Sequence, residues 1–225
     1  MPGRELRVRR LTLSLALIAA VSALPASSQE VPSPPLSEVG SDLVFSALDH
    51  QLVLPAPQWW SAGQAPITER FDVKVTADTR QALVEVSPLE TEDQDIVALF
   101  AARLTLEPQR SLREYRRTVM LSYAQLCQPD LTGFFQLSAD DGETLAPLGF
   151  VCGLFADRLP SLAGLGEIVI MTFRQSDQGV AVVYEEWMGP AFDPGNISTW
   201  PVSAETVELR ADALASRVQL LLAGD

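Results

Sequence analysis

The sequence predicts an α+β fold, a mostly antiparallel sheet with helices packed on it in an α/β/α-sandwich-like single domain. Three observations point there. Residues 134–155 and 167–187 each read as two apolar strands joined by a turn. A capped amphipathic helix pattern opens at Ser111, and a second helix pattern opens at Ser203.

Taken in order, His50 to Pro55 carries Leu52, Val53 and Leu54, a short strand closed by Pro55 and Pro57. Gln81 to Val86 alternates well enough for a second strand. Asp95 to Leu106 fits either period. We read it as strand, because Pro108 stops it and a marked helix follows at once. That helix begins with Ser111-Leu112-Arg113-Glu114, a capping box in which hydroxyl and carboxylate each satisfy an orphan N–H. Leu112, Tyr115, Val119, Tyr123 and Leu126 then recur at the spacing of one buried face, and Pro129 forbids continuation.

Phe134 to Ala139 and Ala146 to Phe155 form a predicted hairpin around Asp141-Gly142, a pair suited to positive φ. A second hairpin runs from Glu167 to Arg174 and from Val180 to Trp187, with Gly179 in its turn. Both faces of these strands are apolar, so something must cover each side. The last helix starts at Ser203 with a Val202–Val207 staple, buries Val207, Ala211, Leu214, Val218 and Leu221, and stops at Gly224.

This order, with Pro55-Ala56-Pro57-Gln58-Trp59 after the first strand, resembles the PsbP/Mog1-like α/β sandwiches, which often carry a proline–tryptophan corner there. The resemblance spans most of the folded region as a layout, and Trp60 to Thr79 departs from it. It implies a fold and a tendency toward accessory or binding roles, and it carries no functional residues.

The chain reads as made for export. Arg4, Arg7, Arg9 and Arg10 precede an apolar run from Leu11 to Leu24, and Ala26-Ser27-Ser28 offers small residues for cleavage before Gln29. The run is shorter than the roughly 20 residues a membrane span needs. Residues 1–28 are therefore expected to be a signal peptide, 29–42 a flexible proline- and serine-rich leader, and 43–225 the single domain. The protein would be periplasmic in a Gram-negative source and extracellular otherwise, with no membrane span after cleavage. Cleavage would leave 12 of the 16 basic and 28 of the 29 acidic residues. So acidic a surface repels phosphate backbones, which argues against nucleic acid as a partner.

The chemistry is sparse. The single histidine, His50, stands at a strand end beside Asp49, and no Gly-x-Ser-x-Gly elbow accompanies it. No zinc spacing, calcium loop or dinucleotide fingerprint occurs, so no metal or cofactor is expected. Asp140-Asp141-Gly142-Glu143 reads as turn chemistry. Glu185 and Glu186 are neighbours in a strand and should point to opposite faces. Cys127 and Cys152 are expected to form one structural disulfide, as suits an oxidising compartment.

Two binding features remain. Arg103, Arg110, Arg113, Arg116 and Arg117 gather five basic residues in a short stretch, either a solvated face balanced by carboxylates or a docking patch for an anion. The connection Met188 to Val202 carries Phe192 and Trp200 after Trp187. These three aromatics are candidate binding residues or, alternatively, caps on the core. The functional expectation is an exported accessory or binding protein with an unidentified protein or small-molecule partner, the alternative being an envelope hydrolase with a dispersed site.

Overall fold

Strand dominates the described residues more than the helix patterns suggest. In the computed structural model, residues 35–89, 96–142 and 144–223 are described. The expected signal peptide, the leader up to residue 34, Glu143 and the Gly224 stop lie outside them.

The strands are β1 (Leu36–Val39), β2 (Asp42–Ala47), β3 (His50–Pro55), β4 (Phe71–Ala77), β5 (Gln81–Pro88), β6 (Val97–Thr105), β7 (Thr132–Gln136), β8 (Leu148–Cys152), β9 (Leu165–Gln175), β10 (Val180–Pro190) and β11 (Gln219–Leu222). Three α-helices accompany them: α1 (Ile67–Arg70), α2 (Leu112–Ala124) and α3 (Ala204–Arg217). Every strand pairing is antiparallel, in a four-stranded sheet ordered β1-β2-β3-β11 and a seven-stranded sheet ordered β4-β5-β6-β10-β9-β8-β7.

The expected α/β/α sandwich is thus corrected to a predominantly β fold of two sheets. A second sheet stands where a helical layer was expected. Leu43 and Phe45 of β2 and Leu52 and Leu54 of β3 enter one core with Val84, Phe100, Ile168, Ile170 and Val183 of the large sheet, and α3 adds Val207, Ala211 and Leu214. The opposite face of the large sheet is covered over part of its width by α2, through Leu112, Tyr115 and Tyr123 against Phe150, Val169, Met171 and Phe173.

Three local expectations also change. Residues 36–39, read as leader, form β1 and bury Leu36, because Leu36–Val39 finds a full register on β2. The segment Trp60 to Thr79 contains β4, whose Phe71, Val73 and Val75 face the shared core. The last helix does not reach Leu221. Arg174 donates to the carbonyl oxygens of Leu214, Ala215 and Val218, which satisfies the helix end. Val218 is then extended, and Gln219–Leu222 completes the small sheet against β3.

The two caps and the second hairpin stand as read, while the first hairpin forms with strands Thr132–Gln136 and Leu148–Cys152, shorter than the spans read from sequence. The Ser111 capping box is complete and Ser203 caps α3. Phe134 pairs with Phe150, and the second hairpin runs in one register from Val180–Gln175 to Pro190–Leu165.

Candidate functional site

Strand β10 puts two consecutive carboxylates on opposite faces, and they meet different fates. Glu185 turns into the intersheet core, where Arg210 of α3 donates to it at 2.5 Å. Arg210 also donates to the carbonyl oxygens of Ala56 and Pro55. Burial raises the Glu185 pKa, and the guanidinium works against that rise. Every group here has its partner, which makes this a structural tie.

Glu186 faces the other way, between Leu99 of β6 and Val169 of β9. Glu167 stands two residues before Val169, hence on the same face and diagonal to Glu186. Both are buried, at 2 % exposure for Glu167 and 7 % for Glu186. Burial pushes the Glu167 pKa well above the ordinary range, and the Glu186 charge pushes it further. Burial raises Glu186 as well, while the hydrogen bond from Glu167 opposes that rise. Burial thus pushes both carboxyls toward their protonated form, and the two titrate as a pair. Glu167 Oε1 has no hydrogen-bond partner.

The surroundings grade from dry to open. Tyr184 of β10 and Tyr123 of α2 are buried beside the pair, and burial first, then neighbouring acidic groups, holds their hydroxyls protonated. Cys152 pairs with Glu167 in the β8–β9 register. Toward β4 the face is uncovered by α2. Val97 is 50 % exposed, while Leu99, Met188, Leu83, Glu85 and Arg103 are half-buried. Glu85 lies opposite Ala101, and Ala101 lies opposite Tyr184. Lys74, opposite Glu85 on the edge strand, pairs with Asp72 at 3.3 Å. The result is a sheet face that is apolar at Val97, Leu99 and Met188 and charged at Glu85 and Arg103, with a carboxyl pair at its inner end.

The residues singled out from sequence are dispersed. Cys127 and Cys152 are bonded, with Cα atoms 5.6 Å apart, and tie the segment after α2 to β8. Arg113 and Arg116 both pair with Asp140, and Arg110 pairs with Glu107. The Arg116 hydrogen bond holds the Asp140 carboxyl well below its usual range. Arg103 sits apart on the sheet face described above, and Arg117 is exposed on α2. Trp187 and Phe192 belong to the intersheet core rather than to an exposed loop surface. Trp200 is half-buried, with its ring 5.9 Å from that of Phe135. The strand-end His50 is 1 % exposed; its Nδ1 lies 2.7 Å from the Leu48 carbonyl oxygen and its Nε2 2.8 Å from Ser176 Oγ. Among the described residues no group of three or more His, Cys, Asp or Glu is placed to hold a metal.

Sequence reasoning separated Glu185 from Glu186 correctly but did not find Glu167 as the partner of Glu186. The available signal was a lone charge inside the apolar run Glu167 to Met171, since carboxylates are rarely buried without a partner. Comparison with protein-family models, with curated proteins and with solved structures finds no match to this chain.

Proposed function

We propose that this chain is an exported, non-enzymatic accessory or binding protein of the cell envelope, and that it meets its partner on the face of β5, β6 and β10 that the described residues leave uncovered. One observation carries this reading. Exposed Val97 adjoins half-buried Leu99 and Met188 at one end of this face, while α2 covers the face over β8 and β9. Exposed apolar residues that adjoin one another can mark interaction sites. The basic and apolar stretches of residues 4–24 support export. The Cys127–Cys152 bond is compatible with an oxidising compartment. Among the described residues no helix is long and apolar enough to cross a membrane.

The reading is tested in cells of the source by placing a photo-crosslinking amino acid at Val97 or at Leu121, which is exposed on α2. A discrete adduct from Val97 and none from Leu121 is the expected result. Equal adducts, or none from Val97, would remove the face from consideration. Export is checked by the mass of the envelope form, which should start near Gln29.

One observation favours the hydrolase reading. The Leu48 carbonyl can only accept, so the His50 proton lies on Nδ1 and Nε2 is left to accept the Ser176 hydroxyl. Against it, Ser176 Oγ accepts N–H bonds from Gln178 and Gly179 within its own turn, and the imidazole is shut from solvent. A fluorophosphonate probe labelling the wild type, and not Ser176→Ala, would establish the enzyme.

A further inference from the structure

We propose that the Glu167–Glu186 pair receives a Lys or Arg side chain from an apolar segment of a partner protein. The inference rests on the uncovered face being the docking surface and adds the chemistry of what docks there.

The contrast across β10 carries the argument. On the core face, Glu185 has its cation built in, Arg210 at 2.5 Å. On the other face, Glu186 and Glu167 have no cationic side chain within 4 Å among the described residues, and Glu167 Oε1 is buried with no partner of any kind. An unsatisfied buried oxygen costs free energy that an incoming N–H donor restores. The groups facing the pair are Glu85 from β5, Arg103 from β6, Tyr184 from β10, Tyr123 from α2 and the bonded Cys152 from β8. Of these, Arg103 is the one cation, and it lies two rows away beside Val182. Lys74 is engaged with Asp72 at the far edge.

The rim suits the stem of such a side chain. Leu99 stands directly opposite Glu186, Met188 directly opposite Glu167, and Val97 opposite Met188. Methionine is unbranched and adapts to a guest, and methylene stems of Lys and Arg lie readily on apolar surface. Glu85, two strands away from Tyr184, adds further negative charge at the mouth, in a chain of formal net charge −13. On binding, a proton held by the pair leaves to solvent, both carboxylates ionise, and the cation forms charge-assisted hydrogen bonds with them. Binding therefore releases up to one proton.

The test uses the purified chain beginning at Gln29 and five-residue peptides of one frame, acetyl-Gly-Leu-Xaa-Leu-Gly-amide with Xaa as Arg, Gln or Glu, with putrescine as a free diamine. Methyl NMR of Leu99 and Met188 reports the site, and calorimetry in two buffers of different ionisation heat counts protons. The Arg peptide should shift both methyl groups and release protons. It should lose at least tenfold in affinity in Glu186→Gln, and lose in the same direction in the more accessible Glu85→Gln. The remote Glu208→Gln should bind as the wild type, and thermal melts verify that each variant folds. Equal binding of all three peptides at these methyls would overturn the cation while leaving the docking face intact. Putrescine binding as tightly as the Arg peptide would overturn the partner-segment source. No methyl shift with any peptide would overturn both readings.

Discussion

Arg210 Nε donates to Glu185 Oε2 at 2.5 Å, and the same guanidinium donates to the carbonyl oxygens of Ala56 and Pro55. One side chain thus joins α3, the large sheet and the chain leaving the small sheet. Removing it strands a carboxylate that is 1 % exposed.

Arg210→Met should therefore cost about 3–5 kcal/mol of unfolding free energy, most of it the penalty of the unpaired Glu185. Pairing it with Glu185→Leu should recover much of that loss, since an apolar pair of similar volume removes the buried charge. Urea denaturation of the two single variants and the double variant gives the answer. A double variant as unstable as the sum of the singles would show that the carbonyl bonds dominate.

The Glu167–Glu186 pair predicts a pH dependence of stability. Burial is the first cause raising both pKa values in the folded state. A raised folded pKa means that the folded chain holds a proton the unfolded chain releases. Its stabilisation is complete below the ordinary carboxylate range of about 4.3 and declines as pH rises toward the folded value. The wild type should thus lose stability as the pH rises above that carboxylate range. Glu167→Gln keeps a hydrogen bond to Glu186 without titrating and should flatten the slope. Chemical denaturation from that range upward in both proteins is the measurement, and equal slopes would exclude the pair as the source. Asp140 acts in the opposite sense. The Arg116 hydrogen bond lowers its pKa, so its contribution is lost only as pH falls below the usual carboxylate range.

How much of this was legible depended on where the local signal lay. The Ser111 box and the two hairpins could be read because a capping box and apolar runs broken by turn residues are encoded within a few neighbouring residues. The second sheet could not. Leu36–Val39 and Gln219–Leu222 are four-residue strands with weak alternation, and each exists because a distant edge supplies its hydrogen bonds. Leu221 continued a helical stripe in sequence, yet Arg174, more than 40 residues before it, ends that helix. The carboxyl pair was hidden for the same reason, since Glu167 and Glu186 are brought together only by the register of β9 on β10.

The Cys127–Cys152 bond closes a separation of 25 residues and holds the exit of α2 to β8. Cys127→Ser with Cys152→Ser should lower stability by about 3–4 kcal/mol in the chain-entropy model. Thiol labelling of the purified protein, unfolded without reductant, should find no free thiol. Two labelled thiols in fresh material would contradict the bond.

The aromatic connection gives the last prediction. Trp187 is 6 % exposed in the intersheet core, whereas Trp200 is half-buried, with its indole N–H donating to the Pro194 carbonyl oxygen at 3.3 Å. Its ring lies beside Phe135, and Phe135 in turn lies over Gly149, where a Cβ would meet the ring at 2.2 Å. Trp187→Ala should cost about 3–5 kcal/mol, as truncation of a buried aromatic does. Trp200→Ala removes less buried area and should cost about 2 kcal/mol. Gly149→Ala must push Phe135 aside and so should loosen Trp200 without touching it. Tryptophan fluorescence of Gly149→Ala in a Trp59→Phe, Trp60→Phe background should then shift to the red, and urea titration should show a loss close to that of Trp200→Ala. An unshifted spectrum with unchanged stability would mean that Phe135 and Trp200 are not packed as a unit, and that Trp200 is free to serve as a surface contact.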